Sequence, residues 1–166
     1  MLKIQNVDHI KKTILSEKKI LNNFPKAITF EFDPFYREVA TQVKTLELSS
    51  ECILYASAEA VKVNANMSTD IMSGYWIFAQ NGQGDLWLFD VNHQVYFYDH
   101  DLEDFCDANF IFLDIDFAKW LQFADLNHQF DLLYDENDVD ENVKNMYQQL
   151  LTQLSITFAQ NYPFEI

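Results

Sequence analysis

The chain has 166 residues, of which 49% are apolar and 16% aromatic, a composition that excludes a mainly disordered state. With 3 glycines and 3 prolines it is not a low-complexity chain. The 26 acidic and 11 basic residues give a net charge of −15, which repels phosphate backbones and excludes direct nucleic-acid binding.

The acidic excess lies entirely in the second half of the chain. Residues 1–84 carry 9 acidic and 9 basic residues, whereas residues 85–166 carry 17 acidic residues and only Lys119 and Lys144. A field of this sign concentrates cationic ligands and speeds the encounter with basic proteins. We therefore predict a basic protein partner, with solubility alone as the alternative explanation of the charge.

The cysteines and the apolar runs indicate a cytoplasmic location. Cys52 and Cys106 allow one disulfide at most, so we expect both thiols to be reduced. Residues 1–6 lack a signal-peptide pattern, and no stretch approaches 18 apolar residues without a charge. No membrane partner is predicted.

The N-terminal elements begin with an amphipathic helix over residues 6–22, with Asn6 as its N-cap. Residues 27–32 then alternate apolar and polar side chains, the pattern of a half-buried strand. Asp33 and Pro34 predict the start of a second helix that runs through about residue 43. A short strand is predicted over residues 52–55.

An antiparallel meander is predicted in the middle of the chain, from three aromatic-rich runs at residues 75–80, 86–89 and 95–98. Gly82 and Gly84 lie in the first turn, where we expect both to supply positive φ. They do not form a dinucleotide fingerprint, because the segment leads into a strand and not into a helix.

Both faces of the meander carry large apolar side chains, so we expect helices to cover the second face as well. Asp116 predicts the N-cap of one helix, and Asp138 with Glu141 has capping-box spacing before a last helix through residue 158. The predicted fold class is α+β, a central antiparallel meander covered by N- and C-terminal helices.

Metal and catalytic motifs are weak. The acidic segment 99–107 has many oxygen ligands, but its spacing does not fit an EF-hand, which leaves an irregular divalent-ion site or a solvated acidic loop. The two cysteines and four histidines are too scattered for zinc, and acidic neighbours disfavour a reactive thiolate. An aromatic stripe on the meander lacks the basic groove of a nucleic-acid platform, so we assign it to the core. We predict no cofactor, no metal and no catalytic residue.

Three ordered signals carry a family resemblance. The run Gly74 to Asp90 contains a glycine turn followed by Asp85 and an aromatic strand ending in Asp, and Val95-Tyr96-Phe97-Tyr98-Asp99-His100-Asp101 follows it. The helix signal Phe117-Ala118-Lys119-Trp120-Leu121 completes the series. Together these signals, over residues 53–123, resemble the SUKH superfamily of bacterial immunity proteins and Smi/Knr-like regulators, while residues 1–50 diverge from its pattern.

The resemblance implies a single SUKH-like α+β domain over residues 1–166, with no known catalytic centre. It also implies a protein partner, which in bacteria is commonly a secreted toxin and often a nuclease. We therefore expect a non-enzymatic immunity protein that neutralises a basic toxin. The alternative is a regulatory or scaffolding domain with an endogenous partner.

The predicted partner-binding residues are the acids that flank the meander and its following loop, together with one aromatic side chain. We expect Tyr98 to be an exposed anchor. Asp85 and Asp99 have an alternative role, in which they cap turns through neighbouring backbone amides. The full set is Asp85, Asp90, Tyr98, Asp99, Asp101, Glu103, Asp104 and Asp107.

Overall fold

The computed structural model describes residues 1–15, 19–102, 104–136 and 139–166. These residues form a six-stranded antiparallel sheet whose strands neighbour one another in chain order. The strands are β1 (Leu46–Ser49), β2 (Cys52–Leu54), β3 (Tyr75–Gln80), β4 (Leu86–Asp90), β5 (Val95–Tyr98) and β6 (Ile111–Phe112). The helices are α1 (Val7–Ile14), α2 (Pro34–Gln42), α3 (Ser57–Ala65), α4 (Thr69–Met72), α5 (Phe117–Asp135), α6 (Glu141–Leu154) and α7 (Ile156–Gln160). The predicted α+β fold, a meander with N- and C-terminal helices, is confirmed.

The first helix is shorter than its pattern predicts. Asn6 is its N-cap, as expected, and the Asn6 side chain accepts a hydrogen bond from the backbone N–H of Asp8. The helix ends at Ile14, and residues 19–22 are not helical. Residues 16–18 of the predicted helix lie outside the described residues.

The strand predicted over residues 27–32 is wrong, because this segment joins no strand ladder. Its alternation is nevertheless real: Phe30 and Phe32 are half-buried and pack against the face of the sheet, where the rings of Phe32 and Trp76 are 4.9 Å apart. Alternating burial requires only that every second side chain meet the core. The aromatic contacts of Phe30 and Phe32 therefore produce alternating burial although this segment pairs with no strand.

The second helix and the short strand after it are confirmed. Asp33 caps α2 by accepting from the backbone N–H groups of Phe35 and Tyr36, at 2.9 and 3.0 Å. The predicted strand occupies Cys52–Leu54 as β2, and β1 pairs with it through Glu47 opposite Ile53. The sequence patterns did not predict β1, α3, α4 or β6, all of which are short.

The meander is confirmed with its turns. β4 pairs with β5 through Trp87 opposite Phe97, and with β3 through Trp76 opposite Phe89. In the turn between β3 and β4, Gly84 has φ 103°, a conformation that side-chain-bearing residues rarely adopt. Gly82 does not have positive φ, so the expectation that both glycines supply it holds for Gly84 alone.

One face of the sheet packs against α2 and α5, where the largest aromatic side chains are buried. The Trp120 ring lies 4.8 Å from Phe78, and Trp87 lies 5.6 Å from Phe123. Asp116 caps α5 as predicted, through the backbone N–H of Lys119. This face confirms the core assignment of the aromatic stripe for Trp76, Phe78, Trp87 and Phe89.

The opposite face near β5 is covered differently from the prediction. Phe105 lies 4.8 Å from Tyr98, and Phe110 lies 5.0 Å from Tyr75, so the rings come from the segment after β5 and not from a helix. This segment contains the 3₁₀ turn Asp107–Asn109. The acidic loop is therefore tied to the sheet by its own aromatic side chains.

The last helices begin at caps other than the predicted one. α6 starts after Asp140, whose carboxylate accepts from the backbone N–H groups of Asn142 and Val143, each at 2.9 Å. The predicted cap Asp138 lies outside the described residues. The predicted helix breaks at Ser155, which caps α7 through the N–H of Phe158. None of the helices in the described ranges combines the length and apolar character needed to cross a membrane.

Candidate functional site

A polar network fixes the turn between β3 and β4. The Asn81 side-chain oxygen accepts from the backbone N–H groups of Gln83, Gly84 and Asp85, at 2.9 to 3.0 Å. The Asn81 amide group donates to the carboxylates of Asp85, at 2.8 Å, and Glu51, at 2.9 Å. Asn81 is 1% exposed, so the hairpin turn is built around a buried amide.

Asp85 extends this network to His100. One Asp85 oxygen accepts from the His100 backbone N–H at 3.0 Å and from the His100 Nδ1 at 2.6 Å. Burial alone would raise the pKa of Asp85, but the hydrogen bonds from His100 and Asn81 outweigh it and lower that pKa below its usual range. The same hydrogen bond to Asp85 raises the pKa of His100. The two side chains therefore favour opposite charges and form an ion pair whenever His100 is protonated.

The acidic segment also brings three ligand-type side chains together. Ligand atoms of Asp85, Asp99 and His100 lie within 4.8 Å of one another. The imidazole Nδ1 and a carboxylate oxygen of this group already bond to each other, and Asp85 is bonded to Asn81 as well. Both Asp85 oxygens and the His100 Nδ1 are therefore already engaged in hydrogen bonds.

Three of the predicted partner-binding acids have structural roles in turns. Asp90 accepts from the backbone N–H groups of Asn92 and Gln94, each at 2.9 Å, and so closes the turn between β4 and β5. Asp99 accepts from the backbone N–H of Asp101 at 2.9 Å. Together with the buried Asp85, these contacts bear out the alternative turn-capping role of Asp85 and Asp99.

The remaining predicted residues divide into exposed and buried positions. Asp101, Asp104 and Asp107 are exposed on the loop after β5, whereas Glu103 lies outside the described residues. Tyr98 is only 6% exposed, and its hydroxyl donates to the backbone oxygen of Leu102 at 2.7 Å. The expectation of an exposed Tyr98 anchor is wrong, because its ring packs against the loop that was expected to leave it free.

Both cysteines are free thiols. Burial raises the pKa of Cys52 well above its usual value, and the nearby carboxylates of Glu51 and Asp131 raise it further. A thiol in this environment stays protonated, which argues against Cys52 as a nucleophile.

Sequence reasoning missed a cleft of about 880 Å³ on another part of the surface. It lies between β1, the C-terminal half of α5, the start of α6 and the last two residues of the chain. Four acidic side chains line it: Glu47, Asp131, Asp135 and Glu165. Lys144 also lines the cleft, but its ammonium group already donates to the main-chain oxygen of Ile166 at 3.1 Å.

The same cleft carries exposed apolar surface. Leu132 is 51% exposed and Tyr134 is 67% exposed, and both line it beside the acidic residues of α5. The sequence does contain a local signal for this surface, because the apolar run 132–134 directly precedes Asp135 and Glu136. The cleft residues in β1 and at the end of the chain show no such local signal in the sequence. In this cleft, acidic side chains lie beside an exposed apolar patch.

No family model, curated protein or solved structure matches the chain.

Proposed function

We propose that this chain is a non-enzymatic cytoplasmic protein that binds and neutralises a basic toxin, as the immunity proteins of the SUKH superfamily that it resembles do. The observation that carries the proposal is the concentration of the whole −15 charge in residues 85–166. Acidic side chains of this half are exposed both on the loop after β5 and around the cleft.

Charge complementarity explains why a nuclease toxin suits this surface. A nuclease needs a basic surface to hold its nucleic-acid substrate. An acidic protein is attracted to that same surface, which speeds association and blocks the substrate site. The negative charge that makes direct nucleic-acid binding by this chain unfavourable is thus the charge that attracts a basic nuclease.

The polar contacts favour binding over catalysis. Asp85 and His100 form a carboxylate–imidazole pair of the type that catalytic sites use, but their hydrogen bonds hold the turn between β3 and β4 and the start of the loop after β5. Neither residue lines the cleft. The buried thiol of Cys52 is held in its protonated form. These groups therefore support the fold and leave the acidic surfaces for a partner.

The experiment is growth rescue. The gene immediately upstream, or any adjacent gene for a toxin-like domain, is expressed in cells with and without this protein, and the two purified proteins are then mixed at low and high salt. We expect rescue of growth and a complex that high salt weakens. A neighbour that is harmless, or that kills equally in both strains, overturns the immunity proposal in favour of a regulatory partner.

Charge reversal then tests the loop after β5. Replacing Asp101, Asp104 and Asp107 by lysine should slow association more than it speeds dissociation, because exposed charges act mainly on the encounter. Stopped-flow mixing measures both rates. An unchanged association rate removes the loop from the interface.

A further inference from the structure

We propose that the cleft beside β1 accepts an extended basic segment of the protein partner, which adds to the outer edge of β1 as a further strand. This inference rests on the proposed function for the partner's identity as a basic protein. It names a binding surface different from the acidic loop that the sequence predicts.

The position of β1 supplies the first argument. β1 is the first strand of the sheet, and in the described residues β2 is its only strand neighbour. Glu47, Leu48 and Ser49 all line the cleft. The pairing of β1 with β2 shifts register between Glu47 and Ser49, and this irregularity turns three consecutive residues of β1 toward the cleft. A strand edge presents backbone groups that can pair with another chain.

The other end of the sheet offers a poorer edge. β6 has two residues, Ile111 and Phe112, and the Asn161 side-chain amide donates to the backbone oxygen of Phe112 at 2.9 Å. A short edge strand with a side chain bonded to its backbone is protected against pairing. β1 has four residues, and the only backbone N–H of the described residues that donates to the nearby Asp131 carboxylate is that of Ser50, just beyond the end of the strand, at 2.9 Å. Among the described strands, β1 is therefore the better edge for an added segment.

A buried hydroxyl at the cleft is the second, independent observation. Ser49 is 4% exposed, and its Oγ has no hydrogen-bond partner among the nitrogen and oxygen atoms of the described residues. Its polar neighbour is the Cys52 thiol, which is a weak partner for a hydroxyl. Buried hydroxyls nearly always bond to oxygen or nitrogen, so a hydroxyl held only by a thiol beside a strand edge points to a ligand group that completes it.

The chemistry of the walls defines the segment. Glu47, Asp135 and Glu165 offer carboxylates, while Leu132 and Tyr134 offer exposed apolar surface. In an extended segment, alternate side chains point to opposite sides. A segment that alternates lysine or arginine with aliphatic residues would meet the carboxylates with one side and the apolar patch with the other, while its backbone pairs with β1.

The test uses the full chain, labelled with nitrogen-15, and a synthetic octapeptide of alternating lysine and valine. We expect amide shifts concentrated at residues 47–50 and 132–135. Replacing Glu47 and Glu165 by glutamine and Asp135 by asparagine should weaken binding about tenfold, as expected for three partly exposed charge pairs. The matched control replaces Asp8 and Asp70 by asparagine and Glu31 by glutamine, three exposed acids that do not line the cleft, which makes the same change of charge and should leave affinity within about twofold.

Two further peptides separate strand addition from simple charge attraction. Each has the side chains and charge of the parent peptide, but N-methylation of alternate residues removes the backbone N–H donors along one of its two edges. When each edge is methylated in turn, one of the two peptides should lose the shifts at residues 47–50. The inference is overturned if both methylated peptides bind as tightly as the parent, or if the control variant weakens binding as much as the cleft variant.

Failure of this inference is distinguishable from failure of the proposed function. Growth rescue without shifts at residues 47–50 overturns the cleft and leaves the immunity role standing. Shifts at β1 without growth rescue support the cleft and overturn the immunity role.

Discussion

The acidic residues on and around the loop after β5 are of two kinds. Asp85 and Asp99 bond backbone amides or His100, and they hold the start of the loop in place. Asp101, Asp104 and Asp107 are exposed, so their carboxylates remain available to a basic surface. A substitution at one of the first two should disturb the fold. A substitution at Asp104 or Asp107 should change charge alone, whereas one at Asp101 also removes a carboxylate that lies 3.3 Å from the His100 Nε2.

The ion pair between Asp85 and His100 predicts a pH-dependent stability. Since the folded protein raises the pKa of His100, the pair stabilises the fold fully below the unfolded value of about 6.5 and loses this effect as pH rises through the raised value. Because the pKa of Asp85 is lowered, its contribution is present above about pH 4 and is lost as pH falls through the lowered value.

The measurement is the thermal midpoint of wild type and His100→Gln at about pH 5.5 and about pH 8.5. Wild type should lose more stability over this rise than the variant, because the variant has no proton to release at this position. His9→Gln is the matched control, since His9 is exposed on α1. Equal losses in wild type and His100→Gln would contradict the assignment.

At the scale of elements, a helix completes the edge of a strand. β2 pairs with only the second half of β3, through Leu54 opposite Ala79 and Ile53 opposite Gln80. Beyond that point, the Asn64 side chain of α3 donates to the Ile77 backbone oxygen at 2.7 Å and accepts from the Ile77 N–H at 2.9 Å. One amide side chain thus replaces a neighbouring strand and anchors α3 to the sheet.

Asn64→Ala should lower the free energy of unfolding by about 3 kcal/mol, because it leaves a buried N–H and a buried C=O of Ile77 without partners. Urea unfolding followed by tryptophan fluorescence gives this value. Asn66→Ala, an exposed asparagine at the end of the same helix, should change it by about 0.5 kcal/mol or less. A loss below about 1 kcal/mol for Asn64→Ala would show that the edge is satisfied in another way.

The elements also show what local sequence can predict. Asn6, Asp33 and Asp116 cap helices as predicted, because capping depends on amides within three residues of the cap. The meander is also predictable from aromatic runs and turn residues, because these signals are local in the sequence too. Residues 27–32 were assigned wrongly, since alternation does not distinguish a paired strand from a segment whose side chains pack on a sheet.

The candidate site was predictable only in its charge. Composition located the acidic excess in the second half, but the cleft joins Glu47 of β1 to Asp135 of α5 and Glu165 near the last residue. These positions are far apart in sequence and share no local pattern. The expectation that Tyr98 is exposed is wrong for a similar reason. The rings that bury Tyr98, Phe105 and Phe110, come from a segment whose sequence is mainly acidic and indicates a solvated loop.

The whole molecule carries its net charge unevenly, which destabilises the folded chain by repulsion among like charges in residues 85–166. Raising sodium chloride from about 20 mM to about 500 mM shortens the screening length to a few ångströms and should raise the thermal midpoint by about 2–4 °C. Replacing Asp101, Asp104 and Asp107 by asparagine should raise the midpoint at low salt and reduce its response to added salt.

A midpoint that is flat or falls with salt would contradict this picture, since it would mean that attractive pairs outweigh repulsion in the folded chain. Salt should have the opposite effect on the proposed complex, because the same screening weakens the attraction between an acidic surface and a basic partner. Comparing the two titrations in one buffer series separates the contributions. A partner held mainly by charge should dissociate more readily over the range in which the free protein becomes more stable.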